Sequence, residues 1–288
     1  MRCRSARSPP ASSPRTSAPA PRSGPSAPPP SCPRSTSSPP RWATTAPSAA
    51  PAQVAAATTA YDATYYEDAI GKTGTSLKSS LHTIIRTQTK ISYDAVWNAL
   101  KVTDQDPANS NNVILLYSGT SRSKSLNGGD VGDWNREHVW AQSHGNFGTS
   151  AGPGTDLHHL RPADVQVNST RGNKDFDNGG SPVSGATGSY TDSNSFEPRN
   201  ADKGDVARMI LYMAVRYEGD DAWANLEPND STTNGSVPYH GRLSVLKQWN
   251  EQDPPSAFEQ RRNDIIFGTY QGNRNPFIDH PEWVEAIW

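Results

Sequence analysis

The segment from Asp133 to Asp175 carries three polar side chains with complementary chemistry, namely Glu137, His138 and Asn168. A carboxylate and a carboxamide are hard oxygen donors, and two such protein ligands leave the remaining positions of an octahedral cation to water and substrate, as Mg²⁺ prefers. A neutral imidazole, with an ordinary pKa of about 6.5, can take a proton from water near pH 7. Together these groups would suit metal-assisted hydrolysis of a phosphodiester.

The three side chains must be positioned by a predicted strand–loop–strand–helix unit. Neighbouring side chains of a strand point to opposite faces, so Glu137 and His138 can share one site only if the strand ends there and the backbone turns. The return strand is predicted over Leu157 to Arg161, ending before a proline. Asp164 is then the expected N-cap of a helix that carries Asn168 on its first turns. Such a unit would bring all three groups to one point.

Four long stretches extend the pattern along the chain, in the order REHVWAQSHG, DLHHLRPADVQVNSTRGNKDFD, GDVARMILYMAVRY and YQGNRNPFIDHPEWVEAIW. In this order they resemble the bacterial endonuclease I family, whose active site belongs to the ββα-metal (His-Me finger) nucleases. The resemblance covers roughly residue 60 to the end as one continuous domain. The sequence departs from the family at Ala141, where Pro is frequent, and at His159, where Asn is frequent.

The resemblance implies His138 as the general base and Glu137 with Asn168 as the ligands of Mg²⁺, for which Mn²⁺ or Ca²⁺ would substitute. It implies a metal-dependent endonuclease that hydrolyses DNA, or alternatively RNA, to products with 5′-phosphate ends. Sequence preference should be weak, because no base-reading element is evident and phosphate contacts carry no sequence information. We expect a monomer that binds nucleic acid and no membrane.

Four further residues of the segment are weaker candidates. Asp156 and His158 follow the Gly-rich gap, and we expect them to orient the metal ligands or to tie the two strands together. Arg171 and Asn173 lie at the far end of the predicted helix. Their side chains would contact phosphate or, alternatively, simply form the polar end of the helix.

Candidates outside or beside the segment each have a structural alternative. Arg208 resembles a family position near the cleft, with a phosphate contact and a structural ion pair as the two interpretations. Arg274 lies in a Pro-bounded, turn-rich stretch, where hydrogen bonds that keep the fold are expected and contact with the DNA backbone is the alternative. His144 and His159 are expected to be polar surface residues or to support the site.

Composition divides the chain of 288 residues into two parts. Residues 1–58 are almost wholly Pro, Ser, Ala, Thr and Arg, without Asp, Glu or Lys, and therefore lack the apolar groups that offset ordering entropy. We interpret them as a disordered tail that carries a signal-cleavage remnant. Residues 59–288 are long enough for one sizeable core. The expected fold is α+β, a mainly helical single domain around a ββα-metal finger with a small antiparallel sheet.

Charge is unevenly distributed between the two parts. The tail holds seven of the 27 basic residues, so the body keeps 20 against all 29 acidic residues, a net charge of −9. Because phosphate binding normally leaves a basic surface, we expect the acidic groups to lie away from the cleft, with metal and local Arg supplying positive charge. Arg122 and Lys124, in a Ser/Gly-rich loop, are expected to be solvent-exposed charges rather than phosphate contacts.

Cysteine usage and the N-terminus bear on the compartment. Cys3 and Cys32 both lie in the tail, so the body has no disulfide and no thiolate ligand. No apolar run approaches the roughly 20 residues of a membrane span. The first residues lack the apolar core of a signal peptide, yet the run from Ala50 to Ala56 resembles a cleavage site. We therefore expect an extracellular protein whose signal peptide is not intact here, because the encoded start is not authentic or the frame is damaged upstream.

Two other classes of function compete with the nuclease. A zinc hydrolase would use His138, His144, His158 and His159, but the helical HExxH spacing and cysteine ligands are missing. A non-catalytic secreted module would hold polysaccharide with its Trp and Tyr side chains. The metal that restores activity after chelation would distinguish the zinc hydrolase from the nuclease. A plasmid-nicking assay would distinguish the non-catalytic module from the nuclease.

The scaffold is predicted mainly from apolar periodicity. Helices are expected near residues 75–90, from Asp94 to Leu100, over Lys203 to Tyr217 as an amphipathic helix, and over Ser244 to Gln252 and Ser256 to Ile266. A buried strand is expected over Val113 to Tyr117, with Trp283, Val284, Ile287 and Trp288 packing the C-terminus against the core.

Overall fold

The computed structural model describes residues 61–288 of the chain. The predicted tail of residues 1–58, both cysteines and the run before Ala56 lie outside the described residues. Within the described part the fold is α+β, as predicted, with eight α-helices among small sheets. None of these helices combines the length and the apolar character that a membrane crossing requires.

The helices agree closely with the periodicity of the sequence. Their bounds are α1 Gly74–Ile85, α2 Tyr93–Thr103, α3 Val165–Arg171, α4 Lys203–Arg216, α5 Leu243–Gln252, α6 Ala257–Ile265, α7 Pro276–Asp279 and α8 Trp283–Ile287. A π-helical stretch, Ile266–Gln271, continues α6, and single 3-10 turns cover Pro153–Thr155 and Asn200–Asp202. The predicted C-terminal packing is confirmed, because Trp283 and Val284 are buried in the core and Ile287 and Trp288 pack against it.

The strands are short and form four separate sheets rather than one. Their bounds are β1 Gln105–Asp106, β2 Asn109–Ile114, β3 Ser121–Ser123, β4 Trp134–His138, β5 Leu160–Asp164, β6 Asp175–Phe176, β7 Ser181–Pro182, β8 Tyr190–Thr191, β9 Ser195–Glu197, β10 Glu227–Asn229 and β11 Tyr239–Gly241. The sheet orders are β1-β2-β3, β4-β5, β6-β9-β8-β7 and β10-β11. The β6–β9 and β10–β11 pairs are parallel and the others are antiparallel.

Helix α4 runs through the centre of the main core. An amphipathic helix is expected to expose its polar side to solvent. That expectation is wrong for α4, because all 14 residues of this helix are buried. Its polar side chains are tolerated inside because they have charged partners: Asp205 accepts from Arg161 at 3.0 Å, and Arg208 donates to Glu259 at 2.8 Å. A smaller cluster, which includes Val96, Leu100, Val113, Trp134 and Leu160, lies beneath the β4–β5 pair.

Two strand predictions need correction. The return strand begins at Leu160 and not at Leu157, because the backbone from Asp156 to Leu160 forms a turn closed by hydrogen bonds to the Asp156 carbonyl. Pro162 lies inside this strand, where its missing N–H is tolerated and its carbonyl accepts from Leu116 at 2.9 Å. Strand β2 ends at Ile114, although the next three residues are buried as predicted.

Candidate active site

An open cleft of about 440 Å³ lies where β4 and α3 meet the N-terminus of α2. Glu137, His138 and Asn168 all line it, so the structure brings together the three side chains that the sequence singled out. The full lining comprises Tyr93, Asn135, Arg136, Glu137, His138, Ala141, Gln142, Ser143, Asn168, Gly172 and Asn173.

The end of β4 explains how adjacent residues reach one cleft. Strand β4 pairs with β5 from Trp134 opposite Asp164 to His138 opposite Leu160. His138 is the last residue of the strand, and the chain turns away directly after it. The regular alternation of side chains therefore stops at this point, and both Glu137 and His138 face the cleft.

Helix α3 begins where the sequence predicts. The Asp164 carboxylate caps it, since Oδ1 accepts from the backbone N–H groups of Gln166 at 2.8 Å and Val167 at 3.2 Å. The other carboxylate oxygen accepts from Arg122 at 2.6 Å. Arg122 is thus a partner of the helix cap, which corrects its interpretation as a solvent-exposed loop charge. This cap sets the direction of α3 and so carries Asn168 to the cleft.

The carboxamide of Asn168 is oriented by a neighbour that the sequence argument missed. Asn168 donates from Nδ2 to Oδ1 of Asn135 at 2.7 Å, so its own Oδ1 is the atom left for the cleft. Asn135 precedes Glu137 by two residues in β4, which places both side chains on one face of the strand. That spacing is the signal from which Asn135 could have been found.

Glu137 is buried to 2 % exposure at the edge of the cleft. Its Oε1 accepts from the Tyr117 hydroxyl at 2.8 Å and from Arg171 at 3.0 Å. No side chain of the described residues donates to its Oε2. Burial raises the pKa of Glu137, and the Arg171 charge with the Tyr117 hydrogen bond opposes part of that rise.

Arg171 lies beneath the cleft and not in its lining. Its guanidinium is fully buried and donates to Glu137, to the carbonyl of His138 at 2.8 Å and to the carbonyl of Val139 at 2.6 Å. These bonds hold the turn that follows β4. The burial of Arg171 and the bonds of its two terminal nitrogens favour a structural role over the expected phosphate contact.

His138 is held by hydrogen bonds at both ring nitrogens. A carbonyl can only accept, so Nε2 donates to the carbonyl of Gly154 at 3.0 Å. In the neutral ring Nδ1 is then the acceptor, and the amide of Gln142 donates to it at 2.9 Å. Burial, reinforced by nearby His159, lowers the pKa of His138 to about 3. The ring is consequently neutral near pH 7, with its lone pair on Nδ1.

Two lining residues beside His138 were not found from the sequence. The side-chain amide of Gln142 donates to the lone pair of His138. Arg136 donates to the backbone carbonyl of Tyr93 at 2.6 Å, and its guanidinium lies 3.4 Å from the centre of the Tyr93 ring. Arg136 is thus a cation in the cleft wall. The alternation of side chains along β4 gave no reason to distinguish it from an ordinary charged residue of the surface.

Asp156 and His158 belong to a buried network outside the cleft lining. Asp156 accepts from the hydroxyls of Tyr212 at 3.0 Å and Tyr217 at 2.9 Å. His158 donates from Nε2 to the carbonyl of Asn273 at 3.0 Å. These bonds tie the turn before β5 to α4 and to the C-terminal segment. These contacts favour an anchoring role for Asp156 and His158 over the orientation of metal ligands.

Arg208 and Arg274 are buried in ion pairs, which favours the structural alternative that the sequence left open for both. Arg208 is fully buried and pairs with Glu259 through two bonds of 2.8 Å. Arg274 pairs with Asp279 at 2.7 Å and with Asp264 at 2.8 Å. Asn173, by contrast, lines the cleft and donates to the Ser143 hydroxyl at 3.2 Å.

The histidines do not assemble the zinc site considered as a rival. His144 lies instead with Asp175 and His240, and their ligand atoms are within 4.8 Å of one another. This buried group could hold a metal by spacing, but its atoms already have protein partners. The nitrogens of His144 face the carbonyls of Tyr239 at 2.6 Å and Asn173 at 2.9 Å. Asp175 accepts from the backbone of Gly241 at 2.8 Å.

His159 also lies inside the protein and not at its surface. It donates from Nε2 to the carbonyl of Pro153 at 2.7 Å, and its ring centre lies 5.5 Å from that of His138. Burial lowers the pKa of His159 to about 4. Its contacts therefore support the loop that supplies the Gly154 carbonyl to His138.

Comparison with known proteins gives consistent matches. The model of the family described as Endonuclease I matches residues 73–282. Two proteins named extracellular ribonuclease, from Bacillus amyloliquefaciens and from Bacillus subtilis (strain 168), are each 69% identical to this chain over 225 residues. Each alignment covers 78% of this chain and 78% of the relative.

Proposed function

Since the chain belongs to the endonuclease I family and is therefore a hydrolase acting on nucleic acids, we propose that it is a secreted, metal-dependent endonuclease that cleaves RNA and DNA in the cleft beside His138. The names of the two Bacillus relatives support RNA as a substrate and export from the cell. Family membership also removes the rival of a non-catalytic polysaccharide-binding module.

One observation carries the proposal. A single open cleft is lined by a carboxylate, a carboxamide whose oxygen is free, and an imidazole whose lone pair faces an exchangeable partner. In this arrangement His138 is the general base, and Nδ1 takes a proton from the attacking water. The hydrogen bond from Nε2 to Gly154 keeps the ring in the required tautomer. A phosphate anion bound nearby would raise the low pKa of this ring, because negative charge favours the imidazolium.

The oxygen donors of the cleft fit a hard divalent cation. Glu137 Oε2 and Asn168 Oδ1 would hold Mg²⁺, with Mn²⁺ or Ca²⁺ as substitutes, and two protein ligands leave room for water and phosphate. When bound, such an ion neutralises charge on the phosphate and stabilises the departing oxygen. The chain itself contributes orientation, since Arg171 and Tyr117 hold Glu137 and Asn135 holds Asn168.

The proposed reaction forms a bond between the water oxygen and phosphorus and breaks the bond from phosphorus to the 3′ oxygen. It leaves a 5′-phosphate and a 3′-hydroxyl, and it does not use the ribose 2′-hydroxyl. The same cleft should therefore act on DNA as well as on RNA. An enzyme that used the 2′-hydroxyl as nucleophile would act on RNA alone and release 2′,3′-cyclic phosphates.

This difference supplies the test. RNA and DNA oligonucleotides of one sequence are incubated with the protein and Mg²⁺, and the product ends are identified by mass spectrometry. We expect 5′-phosphate ends from both substrates. The change His138→Ala should lower kcat by roughly 10² to 10⁴ with substrate binding retained. The matched control is His82→Gln on α1, a buried histidine outside the cleft lining. Cyclic phosphate products, or full activity of His138→Ala, would overturn the proposal.

A further inference from the structure

Most basic side chains of this acidic body are already neutralised by carboxylates. Of the 20 Lys and Arg within residues 61–288, seven have no carboxylate oxygen within 4.0 Å in the described structure. Arg136 in the cleft wall is one of them. Three others, Lys101, Lys124 and Arg261, lie together at the C-terminal end of α2.

We call these three cations the α2-end patch: Lys101 lies in the last turn of α2, and hydrogen bonds hold the other two beside it. Arg261 reaches from α6 to the carbonyls of Val102 at 3.3 Å and Thr103 at 3.5 Å. Lys124 donates to the side-chain oxygen of Gln105 at 2.7 Å. Partial burial, together with the charges of Arg261 and Lys101, lowers the pKa of Lys124. The three positive charges are therefore close enough to repel one another.

Local structure compensates only part of this charge. The C-terminus of a helix carries about half a negative elementary charge, which accounts for one nearby cation but not for three. Asp104, the residue after α2, is already paired with Arg161 and Arg262. Asp106 keeps its charge and accepts from the Ser121 hydroxyl and from a backbone N–H, but in the described structure no Lys or Arg nitrogen lies within 4.0 Å of it. An uncompensated basic patch on a body of net charge −9 suggests an anionic partner.

Helix α2 links the patch to the cleft. Tyr93, at its first turn, lines the cleft, and Arg136 lies over the rings of Tyr93 at 3.4 Å and Trp97 at 4.1 Å. Tyr93, Trp97 and Lys101 follow one another at intervals of four residues and so share one side of the helix. With a rise of 1.5 Å per residue, Lys101 lies about 12 Å from Tyr93 along the axis. A strand in a duplex carries one phosphate per 3.4 Å of axis, so this distance spans about three to four nucleotides.

We propose that the α2-end patch binds the phosphodiester backbone of the substrate three to four nucleotides away from the bond that is cleaved. The strand would leave the cleft past Arg136, follow the Tyr93 and Trp97 side of α2, and place its phosphates against Lys101 and Lys124. This inference rests on the proposed function, because it assumes that the cleft holds the scissile phosphate. It also explains how an acidic protein retains a polyanionic substrate.

The double variant Lys101→Gln/Lys124→Gln tests the patch in assays of RNA binding and RNA cleavage. Arg261 is left unchanged because it also holds the end of α2. A fluorescent 20-nucleotide RNA in EDTA should bind the variant about tenfold more weakly at 0.1 M salt, and the salt dependence should become shallower by about 0.7 for each lysine removed. In Mg²⁺ the KM for this RNA should rise about tenfold with kcat unchanged. The KM for a dinucleotide, which cannot reach the patch, should stay the same.

A double variant of equal charge change provides the control. Lys72→Gln/Lys247→Gln alters one lysine that bonds Ser80 and one that pairs with Glu285, neither of which lines the cleft. It should change binding of the RNA by less than twofold. Equal losses in both double variants, no loss in the patch variant, or an equal rise of KM for the dinucleotide would overturn the patch. Failure of the wild-type protein to cleave either substrate would instead overturn the proposed function, and the measurement in EDTA would still decide about the patch.

Discussion

Arg171 and Glu137 lie 34 residues apart in the chain and form an ion pair of 3.0 Å in which both side chains are buried. The same guanidinium donates to the carbonyls of His138 and Val139, so one side chain of α3 fixes the carboxylate and the turn beyond it. A planar guanidinium can form these divergent bonds, whereas a lysine ammonium acts as a single point charge. The site is therefore assembled by a contact that also holds the fold together.

The first prediction follows from that contact. Replacing Arg171 with Met leaves a buried, unpaired carboxylate, and we expect the free energy of unfolding to fall by about 3 to 5 kcal/mol. Arg171→Lys should keep part of this stability but lower kcat about tenfold or more, because the turn is no longer held. Urea unfolding and steady-state kinetics measure the two effects. A stable and fully active Arg171→Met protein would contradict the assignment.

A second prediction concerns the oxygen donors. Without the Asn135 carbonyl, the carboxamide of Asn168 is free to rotate, so Asn135→Ala should raise the Mg²⁺ concentration for half-maximal activity about 10- to 100-fold. At saturating Mg²⁺ the kcat should approach that of the wild type. The measurement is activity against Mg²⁺ concentration after removal of metal with EDTA, which should itself abolish activity. Asn112→Ala, at a half-buried position of β2 outside the cleft lining, is the matched control. Identical Mg²⁺ curves for the two variants would refute the role of Asn135.

The third prediction separates the two interpretations of Arg208. Because its guanidinium pairs with Glu259 in the interior, Arg208→Met should lower the free energy of unfolding by about 3 to 5 kcal/mol and leave the KM for nucleic acid unchanged. The double variant Arg208→Met/Glu259→Leu should recover much of that stability, since no unpaired charge remains. Calorimetry and KM measurements decide. A stable single variant with a raised KM would indicate a phosphate contact instead.

The fourth prediction is a pH dependence of stability. Burial lowers the pKa of His158 to about 4 from its ordinary value of 6.5. Between these values the unfolded chain binds more protons than the native protein, so the His158 contribution to stability is complete above pH 6.5 and is lost as the pH falls toward 4. In His158→Gln this loss is absent. The difference in unfolding free energy between wild type and variant should therefore shrink by about 3 kcal/mol over that range. Parallel curves of stability against pH would contradict this.

Local features of the site were predictable because they depend on short-range chemistry. The Asp164 cap, the start of α3 and the end of a strand at His138 follow from residue type and spacing within a few positions. The helices likewise follow from apolar periodicity. The return strand was displaced by three residues, because the turn after Asp156 uses backbone bonds that no pattern of residue types signals.

Partners of the charged residues were not predictable from the sequence. Arg122, Arg171, Arg208 and Arg274 all had the chemistry of phosphate ligands, and the structure gives each of them a carboxylate. Lys124 was interpreted as an ordinary loop charge, and the structure sets it among two other cations. Whether a cation meets an acid, a phosphate or solvent depends on which elements pack beside it.

The sequence by itself therefore determined most of the longer helices, the Asp164 cap and the choice of the three central side chains, since these follow from interactions among neighbours in the chain. Only the tertiary structure decided which end of the Asn168 carboxamide and which nitrogen of His138 face the cleft. Those choices are made by Asn135, Gly154 and Arg171, whose positions depend on the packing of β4 against α3 and the preceding loop. Hydrogen bonds between distant residues carry no periodicity, and so they leave no pattern in the sequence.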